Sequence, residues 1–179
     1  MGQSKKQSLT VDKLAENLAL YAIDRTDLKE LLSAIPADNN LNLTKVEYEL
    51  QILKILSAGW AVAFYLPASD KNKKGIETGF WHYIREISNN ISSLTESTTG
   101  HDIDYFDIIK SRLDQYVAAL RSGAVQTDEP STVMGPEFAR ACDSENDAIA
   151  ILTGTKMFTL TLGAVKEYLD SVEIATETN

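Results

Sequence analysis

Cysteine is nearly missing from this chain: among 179 residues there is one, Cys142. A single thiol excludes a disulfide framework and any zinc site built from several cysteines. Histidine is almost as scarce, with only His82 and His101, which removes most imidazole-based metal centres. Positive charge is also short. The chain carries 17 Lys and Arg against 26 Asp and Glu, a net charge of −9. Residues 101–179 hold 6 basic and 14 acidic side chains, so that stretch accounts for −8 of the total. No clustered basic face is present to neutralise phosphate, and the acidic half repels nucleic acid and anionic lipid alike.

The apolar stretch from Ile52 to Leu66 has only Lys54 and Ser57 as plainly polar residues, ends at Pro67 and falls short of the roughly 20 residues that cross a bilayer. The first eight residues, Met1 to Ser8, contain no apolar stretch like that of a signal peptide. Lys6 stands where a myristoylation signal wants Ser or Thr. Residues 1–8 therefore read as a flexible polar leader, and the expected location is the cytoplasm.

What is present is helical periodicity. Val11, Leu14, Leu18, Tyr21, Arg25, Leu28, Leu32 and Ile35 recur at steps of three and four, which is one stripe of a helix. Pro36 ends it, and Asp24-Arg25-Thr26-Asp27 offers a break into two shorter helices. Arg25, the one charge on the stripe, sits at that break or snorkels from its edge; the alternative is a buried partner for an acid or a polar residue that fixes pairing register. Thr44 with Glu47 forms a capping box, and Leu43 with Tyr48 a hydrophobic staple, at the head of an apolar helix. A third stripe is Ile76, Phe80, Ile84, Ile87, Ile91 and Leu94, followed by a loop over 95–100. A fourth, capped by Asp102, is Phe106, Ile109, Leu113, Tyr116 and Leu120. Residues 122–136 form the longest break, and Pro136 suits the first turn of a short helix through Cys142. From Asp147 to Val172 runs a second apolar helix, with Gly154 and Gly163 as points of close approach. Residues 158–162 alternate with period two, as a strand would, but no second strand is evident for them to pair with, so helix is the preferred reading.

The fold expected is all-α: an antiparallel bundle of about five or six helices, with two central apolar helices at about 44–66 and 147–172 flanked by amphipathic ones. One domain covers 9–174, with a long loop at about 122–136 and a frayed tail over 175–179.

Motifs that carry chemistry fail one by one. Asp70, Asn72 and Gly75 fit calcium-loop positions, but Lys74 and Trp81 stand where oxygen ligands are needed. Neither histidine follows a glutamate by three residues, so a ferritin-like di-metal site is not encoded. His101-Asp102-x-Asp104 lies at a helix start, where aspartates serve capping. Thr153-Gly154-Thr155-Lys156 lacks the upstream glycine and strand of a phosphate loop. Cys142 reads as a small buried hydrophobe. No catalytic residue, metal or cofactor is assigned, and an enzyme is the weakest case.

Two expectations remain. At about 100° per residue from Phe80, Trp81 lies near 100°, Arg85 near 140° and His82 near 200°. Trp81, His82 and Arg85 thus point away from the core stripe and form a candidate interface for a protein partner or a second copy of the chain. The structural alternative is that a neighbouring helix or the 122–136 loop covers Trp81 while His82 pairs with Glu86. The second expectation is a small-molecule pocket between helices, lined by Trp60, Tyr65, Tyr83 and Tyr116, with Tyr105 also in the aromatic inventory.

Overall fold

The computed structural model describes residues 6–123 and 129–175. Among them the chain forms seven helices: α1 (Val11–Ile23), α2 (Thr26–Ser33), α3 (Leu43–Tyr65), α4 (Lys73–Thr99), α5 (Tyr105–Gly123), α6 (Ser131–Ala141) and α7 (Ala148–Ser171). The all-α expectation holds. The count rises to seven because the first stripe is two helices. Asp24 adopts extended backbone, and its Oδ1 accepts the Thr26 N–H at 3.0 Å, which ends α1 and starts α2.

Two short strands join the helices. β1 (Gln7–Leu9) and β2 (Val172–Ile174) pair in parallel, Gln7 opposite Val172 and Leu9 opposite Ile174. The Ala175 N–H extends the pairing to the Leu9 carbonyl at 2.7 Å. Gln7 and Ser8 therefore belong to a strand and not to a leader. Residues 1–5 and 176–179, the rest of the expected leader and tail, lie outside the described residues.

Helix starts fall where side-chain oxygens reach backbone N–H groups. Asn42 caps α3 by accepting from Lys45 N at 3.1 Å, two residues before the expected Thr44. Glu47 is drawn instead into an ion pair with Arg25. Asp104, not Asp102, caps α5, accepting from Asp107 N at 2.9 Å. Asp147 caps α7 by accepting from Ile149 and Ala150 N–H at 2.8 and 2.9 Å. The break expected over 122–136 is shorter. α5 continues through Gly123 and α6 begins at Ser131, leaving 124–128 outside the described residues. Pro136 lies inside α6, and the helix-opening proline is Pro130, whose carbonyl accepts from Val133 and Met134.

α4 also runs past its expected end, through 95–99, and stops at Gly100 in the left-handed region, φ 72°. Its hydroxyls bond back one turn, Thr95 to Ile91 O at 2.8 Å and Thr99 to Thr95 O at 2.7 Å, so a polar sequence sits in a helix without orphaned groups.

α3 is buried on nearly every side from Val46 to Val62. It packs on α7, α1 and α4, while the most extensive contact among the described residues is α6 on α7. Two glycines make that last approach. A Cβ on Gly154 would lie 2.6 Å from the Phe138 ring, and one on Gly135 would lie 2.6 Å from the Ile151 carbonyl. The period-two stretch 158–162 is helical. Phe158 is buried and Leu160 exposed, as a turn of about 200° between them requires and a shared strand face forbids. α7 is long and apolar enough to cross a membrane by length and composition, although 39% of that window is buried in the fold.

Candidate functional site

A cleft of about 620 Å³ opens between α3 and α4, with the start of α5 and the end of α1 also contributing to its lining. The α4 wall is built by Ile84, Ile87 and Ile91 with Ser88, Ser92 and Thr95 beside them, positions that repeat every three or four residues and so share one face. The α3 wall carries Thr44, Glu47, Tyr48, Gln51 and Ile55, and Ile23, Ile103 and Tyr105 complete the lining.

The polar atoms of this cleft are unequally occupied. Ser88 Oγ donates to Ile84 O at 2.7 Å and Ser92 Oγ to Ser88 O at 2.9 Å. Ser92 Oγ also accepts the Tyr105 N–H at 3.0 Å, tying the start of α5 to α4. Gln51 donates to Ala22 O at 2.8 Å, and Arg25 pairs with Glu47 at the mouth. The rings of Tyr48 and Tyr105 meet edge to face with centroids 6.0 Å apart. Neither phenol makes a hydrogen bond within the described chain. Burial raises the pKa of both hydroxyls above the ordinary tyrosine value, and nearby Glu49 pushes the same way. At neutral pH both are therefore protonated donors, next to apolar surface.

The residues expected at an interface each have a partner inside the molecule. Trp81 packs its ring over Gly59 of α3 and edge-on to Phe80 at 5.1 Å. The Arg85 guanidinium lies 4.9 Å from the centre of the Phe106 ring on α5. His82, on the exposed side of α4, stands 3.5 Å from Glu86.

The expected aromatic pocket divides. Trp60 and Tyr116 do meet, edge to face at 6.3 Å, and Phe158 also meets the indole edge to face at 6.4 Å. Tyr83 instead donates to Asp12 Oδ1 at 3.0 Å, and Tyr65 packs against the core. None of the four lines the cleft, whereas Tyr105 does.

Two buried charges beside these groups have no signature in periodicity. Glu49 is held by Arg112 through two hydrogen bonds of 2.8 and 2.6 Å. Lys54, fully buried, reaches Asp27 Oδ2 at 2.8 Å and Asp24 O at 2.9 Å, with its ammonium 4.3 Å from the Tyr21 ring centre. Cys142 is buried, and its pKa is pushed up to about 12 chiefly by that burial, so it is a thiol and not a nucleophilic thiolate at neutral pH. Among the described residues no group of three or more His, Cys, Asp or Glu could hold a metal ion.

Comparison with known proteins finds no matching family model, curated protein or solved structure.

Proposed function

We propose that this chain is a non-enzymatic binding protein that holds a small, elongated, apolar or weakly polar molecule in the α3–α4 cleft. The observation that carries this reading is a lining with six isoleucines and two protonated phenols, the exposed Tyr48 and the buried Tyr105, neither of which makes a hydrogen bond among the described residues. Small-molecule sites have this composition, a mostly apolar wall with a few polar atoms that orient the ligand. The volume, about 620 Å³, lies within the roughly 300–1,000 Å³ typical of such sites. A ten-residue helical peptide, a cylinder about 11 Å wide and 15 Å long, would occupy roughly twice as much.

The test uses anilinonaphthalene sulfonate as a fluorescent probe of the full chain. One saturable site is expected. Ile91→Trp and Ile87→Trp, which fill the cleft from α4, should weaken it about tenfold or more with the circular dichroism melt retained. Undiminished binding by both variants would overturn the reading.

A protein-partner reading through Trp81, His82 and Arg85 has less support, because each of these side chains already has a contact within the fold.

A further inference from the structure

The outer face of α7 sets two exposed leucines, Leu152 and Leu160, among polar residues, and among the described residues the end of α2 borders it, beside Leu152 and Lys156. Leu152, Lys156, Thr159, Leu160, Gly163 and Glu167 are all exposed, and their spacing of three and four residues sets them on one stripe roughly 22 Å long. The two leucines are 58% and 53% exposed, far more than the buried side of the same helix. Leu20 of α1, also 49% exposed, flanks this stripe across a recess that it shares with Ala164.

Gly163 sets this face apart from the helix contacts inside the molecule. Cβ atoms on Gly59, Gly135 and Gly154 would each strike a neighbouring helix, whereas one on Gly163 would meet nothing within 4 Å. A glycine in a helix interior weakens the helix, and here no contact among the described residues accounts for it.

We infer that this face binds a second copy of the chain, α7 against α7, about a two-fold axis midway between Leu160 and Gly163. The charges select that occupant. In this antiparallel register Leu160 sits over the bare Gly163 of the second copy, and Lys156 comes opposite Glu167. Each contact then occurs twice, as two-fold symmetry demands. Lys156 and Glu167 form no ion pair among the described residues, while the neighbouring Lys166 is already joined to Asp170 at 2.7 Å. One face therefore carries a leucine knob, a glycine hollow and one free charge of each sign, spaced so that the face complements itself. A bilayer would have no use for Lys156 and Glu167 on this stripe.

The experiment is sedimentation velocity of the full chain over a range of concentrations at low and moderate salt. A dimer is expected, weakened as salt rises because its ion pairs lie at the rim. Leu160→Lys should raise the dissociation constant about tenfold or more. Lys156→Glu alone should weaken the dimer by setting like charges opposite each other, and Lys156→Glu with Glu167→Lys should restore it. All three positions are exposed, so each variant should keep the circular dichroism melt of the parent. A monomer at every concentration would overturn the inference. So would a dimer indifferent to Leu160→Lys, or a paired charge reversal no better than Lys156→Glu alone. Co-sedimentation of monomeric chain with phosphatidylcholine vesicles would assign the face to a membrane instead.

Discussion

The Trp81 indole lies across Gly59, so close that a Cβ on that glycine would stand 2.7 Å from Trp81 Cζ2 and 3.2 Å from Phe80 Cε1. This is how α4 sits down on α3 above the cleft. The Phe80 ring cannot retreat without opening the core, since it is fully buried, and the half-buried Trp81 ring packs edge-on against it. Gly59→Ala is expected to destabilise the fold by about 1–3 kcal/mol through overpacking. Urea denaturation followed by Trp fluorescence would measure it, and an unchanged midpoint would show that the two helices slide freely.

The Glu49–Arg112 pair should respond asymmetrically. Arg112 is partly exposed while Glu49 is buried, so Arg112→Met strands a carboxylate away from water and is expected to cost about 3–5 kcal/mol. Glu49→Gln leaves an arginine that still reaches solvent and keeps hydrogen-bonding capacity, so its cost should be about 1–2 kcal/mol. Equal effects from the two variants would contradict this account of the pair.

Stability should fall on the alkaline side. Cys142 moves from an ordinary 9.0 to about 12, chiefly through burial, and Tyr21 from 10.0 to about 12 through burial and the nearby Asp27 carboxylate. Tyr105 and Tyr116 are raised as well, again chiefly by burial. The folded chain keeps these protons at pH values where the unfolded chain loses them. The stabilisation is therefore complete below about pH 9 and is lost as pH climbs towards about 12. On the acid side Asp24 is lowered mainly by the Thr26 backbone N–H, and its contribution is lost as pH drops below the usual carboxylate range. Thermal melts from pH about 5 to 11 should stay level to about 9 and then decline. A Tm as high at pH about 11 as at 8 would sink the prediction.

Tyr116 Oη is buried with no hydrogen-bond partner among the described residues, although its ring is gripped by Trp60. Removing an unsatisfied buried hydroxyl while keeping the ring should be neutral or stabilising by up to about 1–2 kcal/mol. A marked loss of stability in Tyr116→Phe would mean that the hydroxyl has a partner.

The helices were legible because burial imposes a period of 3.6 on the side chains, and the stripe from Ile76 to Leu94 is that period written out. Their ends were less so. Asn42 and Thr44 are both good caps, and the choice between them depends on Glu47 being drawn across space to Arg25. The stretch 158–162 is settled by burial: Phe158 packs into the core while the helix turns Leu160 outward, and Thr159 bonds back one turn to Thr155 O at 2.9 Å. Angular reckoning set Trp81 off the primary stripe, yet it could not show that a bare Gly59 lets α3 come up beneath the ring.

The cleft was the least legible part. Ile84, Ile87 and Ile91 read as core, and whether such a stripe is filled or left open depends on where its neighbours stand. Tyr105 reaches the site because a Ser92 hydroxyl anchors the start of α5, a contact that no periodicity announces. Lys54 is likewise an ordinary cation in sequence until Asp24, Asp27 and Tyr21 close around it.

The pairing of Gln7–Leu9 with Val172–Ile174 also governs how the molecule resists tension. The strands run parallel, one at each end of the described chain. A pull on the two ends therefore drags them past each other, and every bond of the pair is loaded together in shear. Pulled this way, the bundle is guarded by a small clasp that must slip before tension reaches any helix.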